Sequence, residues 1–114
     1  MRAAADVTVA DYRWTHPRVE AGMTGRDIAL LMNAATTRLG GAPEFALVLV
    51  GEASAYPHGS KQVHRVGPGQ VVLMDCGCTV GGYQSDISRT WVHGAATVEQ
   101  RRVWEHMREG QQIA

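Results

Sequence analysis

Two aspartates, Asp75 and Asp86, dominate any chemical reading of this chain. Each lies within a stretch of strand-like residues, and Thr79-Val80-Gly81-Gly82 between them reads as the turn of a hairpin. If the hairpin is symmetric about Val80/Gly81, opposed residues have numbers that sum to about 161, a register set by turn geometry. Asp75 then faces Asp86, Gly77 faces Gln84 and Leu73 faces Ser88. A two-residue turn at that centre would place Val80 at positive φ, which a β-branched side chain resists, so a four-residue loop is expected. Directly opposed Cβ atoms lie about 4.5–5.5 Å apart. Two carboxylates at that separation repel, and a shared proton, a basic neighbour or a bound cation must relieve them. Hard divalent cations prefer carboxylate oxygen, and one carboxylate can bridge a pair of ions about 3.5–4 Å apart. The bland alternative is a solvated pair, or a pair neutralised by Arg89.

Other candidates are weaker. Ser88 and Thr90 alternate onto the Asp86 face, where their hydroxyls would support the carboxylates or simply reflect β-propensity. His58 sits in a Pro57-His58-Gly59 loop, where an isolated histidine is usually a surface or capping residue. His16, His64, His93 and His106 have no supporting partner. Cys76 and Cys78 alternate away from Asp75. They read as buried free thiols packed against helices, with a redox or soft-metal role as the rival. Trp14 and Trp104 read as helix-packing residues, and Arg89 as a structural donor to carbonyls or an acidic partner.

The elements that must position these groups are short. Residues 1–15 have rough helical spacing through Ala3, Val7, Ala10, Asp11 and Trp14, ended by Pro17. Thr24–Leu39 is a helix with Thr24 as cap and Asp27 three positions on, stopped by Gly40-Gly41. Phe45–Val50 reads as a buried strand, Ala53–Ser60 as a loop and Gly67-Pro68-Gly69 as a turn. Gln70–Thr79 and Gly82–Val92 form the hairpin. Thr97–Gln112 is a last helix, capped by Thr97 with Gln100, with Val98 and Trp104 as apolar contacts.

Composition narrows the class. The 114 residues make one domain, with 11 basic and 11 acidic side chains. That balance argues against a dedicated nucleic-acid binder. The longest apolar run, Phe45–Val50, is far short of the roughly 20 residues of a spanning helix, so no membrane role is expected. No apolar signal core appears near the start, and a reduced, cytoplasmic setting is expected.

The motifs resemble those of the pita-bread metallopeptidases: aminopeptidase P, prolidase and methionine aminopeptidase, with creatinase as a non-peptidase relative. The resemblance rests on Asp75-x-Gly77 followed by Gly82-Tyr83-x-x-Asp86-Ile87-x-Arg89-Thr90, on the eleven-residue interval between the aspartates, and on Pro57-His58-Gly59 seventeen residues before Asp75. Val66-Gly67-x-Gly69-Gln70-Val71-Val72 resembles the family's lead into the first aspartate strand, with Gln70 for Asp. Glu20-Ala21-Gly22-Met23-Thr24 resembles its helix start, with Ala21 for Pro and Gly25 for Glu. Tyr56-Pro57-His58-Gly59 and Ser85-Asp86-Ile87-Ser88-Arg89-Thr90 look most like the Xaa-Pro branch, with Ser88 for Thr.

The resemblance implies an α+β fold: the first half of a pita-bread domain over residues 1–114, an antiparallel sheet with helices packed on one face. It implies that Asp75 chelates one metal, that Asp86 bridges two, and that His58 lies near the scissile amide. It implies two divalent ions, manganese first, with cobalt or zinc as alternatives, activating water to hydrolyse a peptide with proline after its first residue. The family site also takes a histidine and two glutamates from a second half, a pattern that Glu99, Glu105, Glu109, His93 and His106 do not match. The expectation is therefore a truncated half-domain. The rival readings are a catalytically silent module that binds metal or pairs with another copy or a complementing chain, and a creatinase-like or methionine-type relative.

Overall fold

The computed structural model describes residues 2–55 and 63–113. Helix α1 (Arg2–Thr15) leads through a 3-10 turn at His16–Arg18 to helix α2 (Gly25–Arg38). Strand β1 (Ala42–Val50) and a second 3-10 turn (Gly51–Ala55) follow. The hairpin comprises β2 (Val71–Val80), a two-residue β3 (Tyr83–Gln84) and β4 (Ile87–Val92), and helix α3 is Val98–Ile113. All strand pairs are antiparallel: β2 lies at the centre, with β1 on one side and β3 then β4 on the other. The capping box expected at the start of α2 is present. The Thr24 side chain accepts from the Asp27 N–H at 3.2 Å, and the Asp27 carboxylate accepts from the Thr24 N–H at 3.0 Å.

Strand β2 sorts its side chains by parity. Val72, Met74, Cys76 and Cys78 are no more than 2% exposed and face α1 and α2. They form the core with Tyr12, Val19, Ile28, Met32, Val50 and Val66, and Ile87 and Trp91 of β4 pack against it. Leu73, Asp75, Gly77 and Thr79 point to the other face, which no described helix covers. A polar seam joins α1 to α2, where the Thr36 hydroxyl donates to the buried Asp11 carboxyl. Burial pushes the acidity of Asp11 down by raising its pKa, with the Thr36 bond opposing.

Three expectations need correction. First, paired residues of the hairpin sum to 163, not 161: Thr79 pairs with Gln84, Val80 with Tyr83 and Asp75 with Ser88. The turn is a two-residue one, with Gly81 and Gly82 at φ 57° and 83°. Tight hairpin turns of this kind need positive φ at both central positions, so the glycines and not Val80 take the centre. The ladder also breaks at Ser85 and Asp86, dividing the expected Gly82–Val92 strand in two. Second, β1 is buried on both faces only at its end, where Leu49 and Val50 are 7% and 2% exposed. Ala46 and Val48 pack on the core, whereas Phe45 and Leu47 are 41% and 37% exposed on the open face. Third, α3 keeps its capping box, with Gln100 and Thr97 bonded reciprocally at 2.8 and 3.0 Å. Its apolar residues do not pack as expected: Val98 is 84% and Trp104 55% exposed. Val103, Trp104 and Met107 instead border an open groove of about 750 Å³ whose other wall includes Val71, Trp91 and Val92. Trp14 is half-buried beneath Arg18, whose guanidinium lies 4.1 Å from its ring centre.

The α2 cap gives a direct check on this architecture. Thr24→Ala removes a side-chain acceptor at an N-cap and is expected to cost about 1 kcal/mol, read as a lower urea midpoint with unchanged slope.

Candidate metal centre

A register shift of two residues leaves every side chain on its original face, because strand side chains alternate with period two. Asp75 and Asp86 therefore still share the open face, but as diagonal neighbours; Ser88 stands directly across from Asp75. Diagonal pairs remain within reach of each other's side chains, and the two carboxyls meet. A hydrogen bond with Asp75, and then its negative charge, raise the pKa of Asp86 above the ordinary value of 3.8. The Ser88 hydroxyl donates to Asp75 Oδ1 at 3.1 Å.

Asp86 reaches Asp75 because its own segment is pressed onto β2. The Ser85 N–H donates to Cys78 O at 2.9 Å, and the Cys78 N–H donates to Ser85 Oγ at 3.1 Å. This close approach requires a glycine at position 77: a Cβ there would collide with the Ser85 carbonyl and the Phe45 ring. Beside the aspartates, Leu47 pairs with Asp75 and Phe45 with Gly77, so β1 lines the site with an apolar edge.

The other candidates are placed as follows. Thr90 sits on the same face opposite Leu73 and bonds neither aspartate among the described residues. His58 lies outside the described residues. Arg89 does not neutralise the pair: it stands on the helix face opposite Met74 and donates to the Ser88 carbonyl at 2.8 Å. Cys76 and Cys78 are buried free thiols on the helix face, and burial pushes Cys76 up to about 11. A thiol held that far from ionisation is a poor nucleophile or soft-metal ligand. The His16 ring meets the Trp91 ring edge-on with centroids 4.9 Å apart, and His106 is exposed on α3. His64 Nε2 is buried without a partner among the described residues.

Phe45, Leu47 and Gly77 were not singled out by spacing. The unbroken apolar run 45–50 carries a signal for the first two, since it puts apolar side chains on both faces of the strand. Gly77 was visible only as part of a motif.

The donor set fits a divalent cation in part. Two carboxylates with one hydroxyl prop supply hard oxygen ligands, and their mutual repulsion is what a cation would relieve. Among the described residues no group of three or more His, Cys, Asp or Glu side chains forms a fuller cage.

With this geometry in view, the relatives are informative. The pattern of metallopeptidase family M24 matches residues 1–114, and the chain belongs to that family. It is 36% identical over 108 residues to an uncharacterised peptidase of Schizosaccharomyces pombe, covering 91% of this chain and 24% of that protein. It is 40% identical over 68 residues to an Xaa-Pro dipeptidase of Lactobacillus helveticus, covering 60% of this chain and 18% of that protein. Its fold matches the X-Pro aminopeptidase of Thermotoga maritima with a TM-score of 0.89 at 30% identity, covering 96% of this chain and 32% of that one. The α+β architecture, an antiparallel sheet with helices, is thus that of the pita-bread proteins. The chain spans about a quarter or less of the length of these two curated relatives.

Replacing one carboxylate separates repulsion from ligation. With its folded pKa raised, Asp86 binds its proton more tightly in the native state than in the unfolded chain. Its contribution to stability is fully present below about pH 3.8 and is lost as pH rises through the raised value. Asp86→Asn is therefore expected to melt slightly above the parent at neutral pH in chelator, and at the same temperature at pH 3. Added manganese is expected to reverse the neutral-pH order by stabilising only the parent.

Proposed function

We propose that this chain supplies the aspartate side of a metallopeptidase site that hydrolyses peptides with proline after the first residue. The observation that carries the reading is the meeting of Asp75 and Asp86 on the face of the sheet that no described helix covers, where Arg89 does not come between them. Membership of the M24 family and the likeness to Xaa-Pro dipeptidases support the reaction class.

Asp75 and Asp86 would hold two divalent ions, with manganese the first choice and cobalt or zinc the alternatives, since oxygen donors suit hard cations. Such ions polarise a substrate carbonyl and lower the pKa of water at neutral pH. The chain's own groups do the positioning. Ser88 fixes the orientation of Asp75 through its hydroxyl, and Asp86 keeps its carboxyl beside that of Asp75. Phe45 and Leu47 present an apolar edge against which the ring of a proline or a neighbouring side chain would exclude water. His58, on sequence alone, is assigned to the substrate side, and Thr90 to support of the Asp86 face. Residues 1–114 would form the first half of a pita-bread catalytic domain, working in the cytoplasm, where the free thiols Cys76 and Cys78 stay reduced.

A second reading is a catalytically silent module that binds metal weakly or pairs with another chain. It is favoured by the small donor set among the described residues and by the exposed apolar face of α3.

Release of proline from an Xaa-Pro dipeptide in manganese tests the first reading. Turnover that chelator abolishes and that Asp86→Ala reduces to background is the expected result. Turnover unaffected by Asp86→Ala overturns it, and no turnover with retained manganese binding favours the second reading. Ser88→Ala is expected to weaken manganese binding about 10-fold, the usual scale for a group that orients a ligand, as measured by calorimetry.

A further inference from the structure

Helix α1 grips the aspartate hairpin at two points one helical turn apart. At the first, Thr8 Oγ1 lies 2.6 Å from Ser85 Oγ. Thr8 donates to Ala4 O at 3.1 Å, and Ser85 Oγ accepts from the Cys78 N–H. Thr8 Oγ1 is the nearer acceptor for the Ser85 proton, the Cys78 carbonyl lying 3.4 Å away, and the bond gives a chain from the β2 backbone to α1. At the second point, Tyr12 Oη lies 2.5 Å from Ile87 O and 3.2 Å from Met74 O. Thr8 is 1% and Tyr12 7% exposed, so water does not compete for these bonds.

The positions of the acceptors are what matter. Ser85 and Ile87 are the residues on either side of Asp86, and Met74 immediately precedes Asp75. Ser85 and Asp86 lie outside the β ladder, so regular strand pairing does not hold Asp86 in place. Like charge pushes its carboxyl away from Asp75. A buried tyrosine hydroxyl needs only some acceptor; this one takes the carbonyls beside both carboxylates.

We propose that Thr8 and Tyr12 are positioning residues that clamp the backbone on both sides of Asp86 and before Asp75, and so set the gap between the two carboxylates. The consequence for metal rests on the reading of these aspartates as cation ligands; the clamp itself does not. Ligating groups must be held to within about 0.5 Å to act together, and a helix turn braced in the core is a stiffer support than a surface bend.

The experiment compares the full chain with Tyr12→Phe, Thr8→Val and Thr8→Ser, using Thr24→Ala as a variant destabilised far from the hairpin. Two quantities are read: amide hydrogen exchange at Ser85, Asp86 and Ile87 without metal, and manganese affinity by calorimetry. Tyr12→Phe and Thr8→Val are expected to speed exchange at these amides at least tenfold beyond Thr24→Ala at matched loss of melting temperature. They are also expected to weaken manganese binding at least fivefold, while Thr8→Ser, which keeps the hydroxyl, stays within twofold of the parent. Exchange no faster than in Thr24→Ala overturns the clamp. Parent protein that binds no manganese removes the metal reading, and the exchange data then decide the clamp alone. Faster exchange with unchanged manganese affinity overturns its role in setting the carboxylate gap.

Discussion

The structure turns on holding two negative side chains together where water and charge would part them. A hydrogen bond with Asp75, and after it the negative charge of Asp75, weaken the acidity of Asp86. What opposes the parting of the two side chains is distributed: a two-glycine turn that fixes register, a glycine at 77 that lets the Ser85 carbonyl come close, and a helix that bonds the flanks of Asp86. None of these touches the carboxylates directly. The work is done by backbone placement, and the aspartates inherit their separation from it.

The division of the sheet into two faces follows from β2. Its even-numbered residues make a dry layer with α1 and α2, so its odd-numbered residues are left for chemistry. The apolar members of that second face, Phe45 and Leu47, keep their exposure because no described element lies over them. The same holds for Val103, Trp104 and Met107 on α3.

Local signals in the sequence were legible where the interaction itself is local. The capping boxes at Thr24 and Thr97 span three residues and could be read outright. The face shared by Asp75 and Asp86 was legible too, because it depends only on parity. Symmetry about Val80/Gly81 misplaces the register by two, because Gly81-Gly82 offer the conformation the turn requires. The run 45–50 reads as a buried strand, but an apolar run does not say whether both layers are present. Thr8 and Tyr12 leave no readable trace, since their hairpin partners lie more than sixty residues away, and bonds to a distant hydroxyl or carbonyl impose no local pattern on side-chain type.

Cys76 and Cys78 stand directly behind the aspartates, on the helix side of the same strand. Cys78 Sγ lies within 3.4–3.6 Å of Thr8 Oγ1 and Ala4 O, so a reagent reaches it only when α1 lifts from the sheet. The rate at which that sulfur is alkylated is then a clock for helix detachment, built into the reverse side of the centre and readable without substrate or ion.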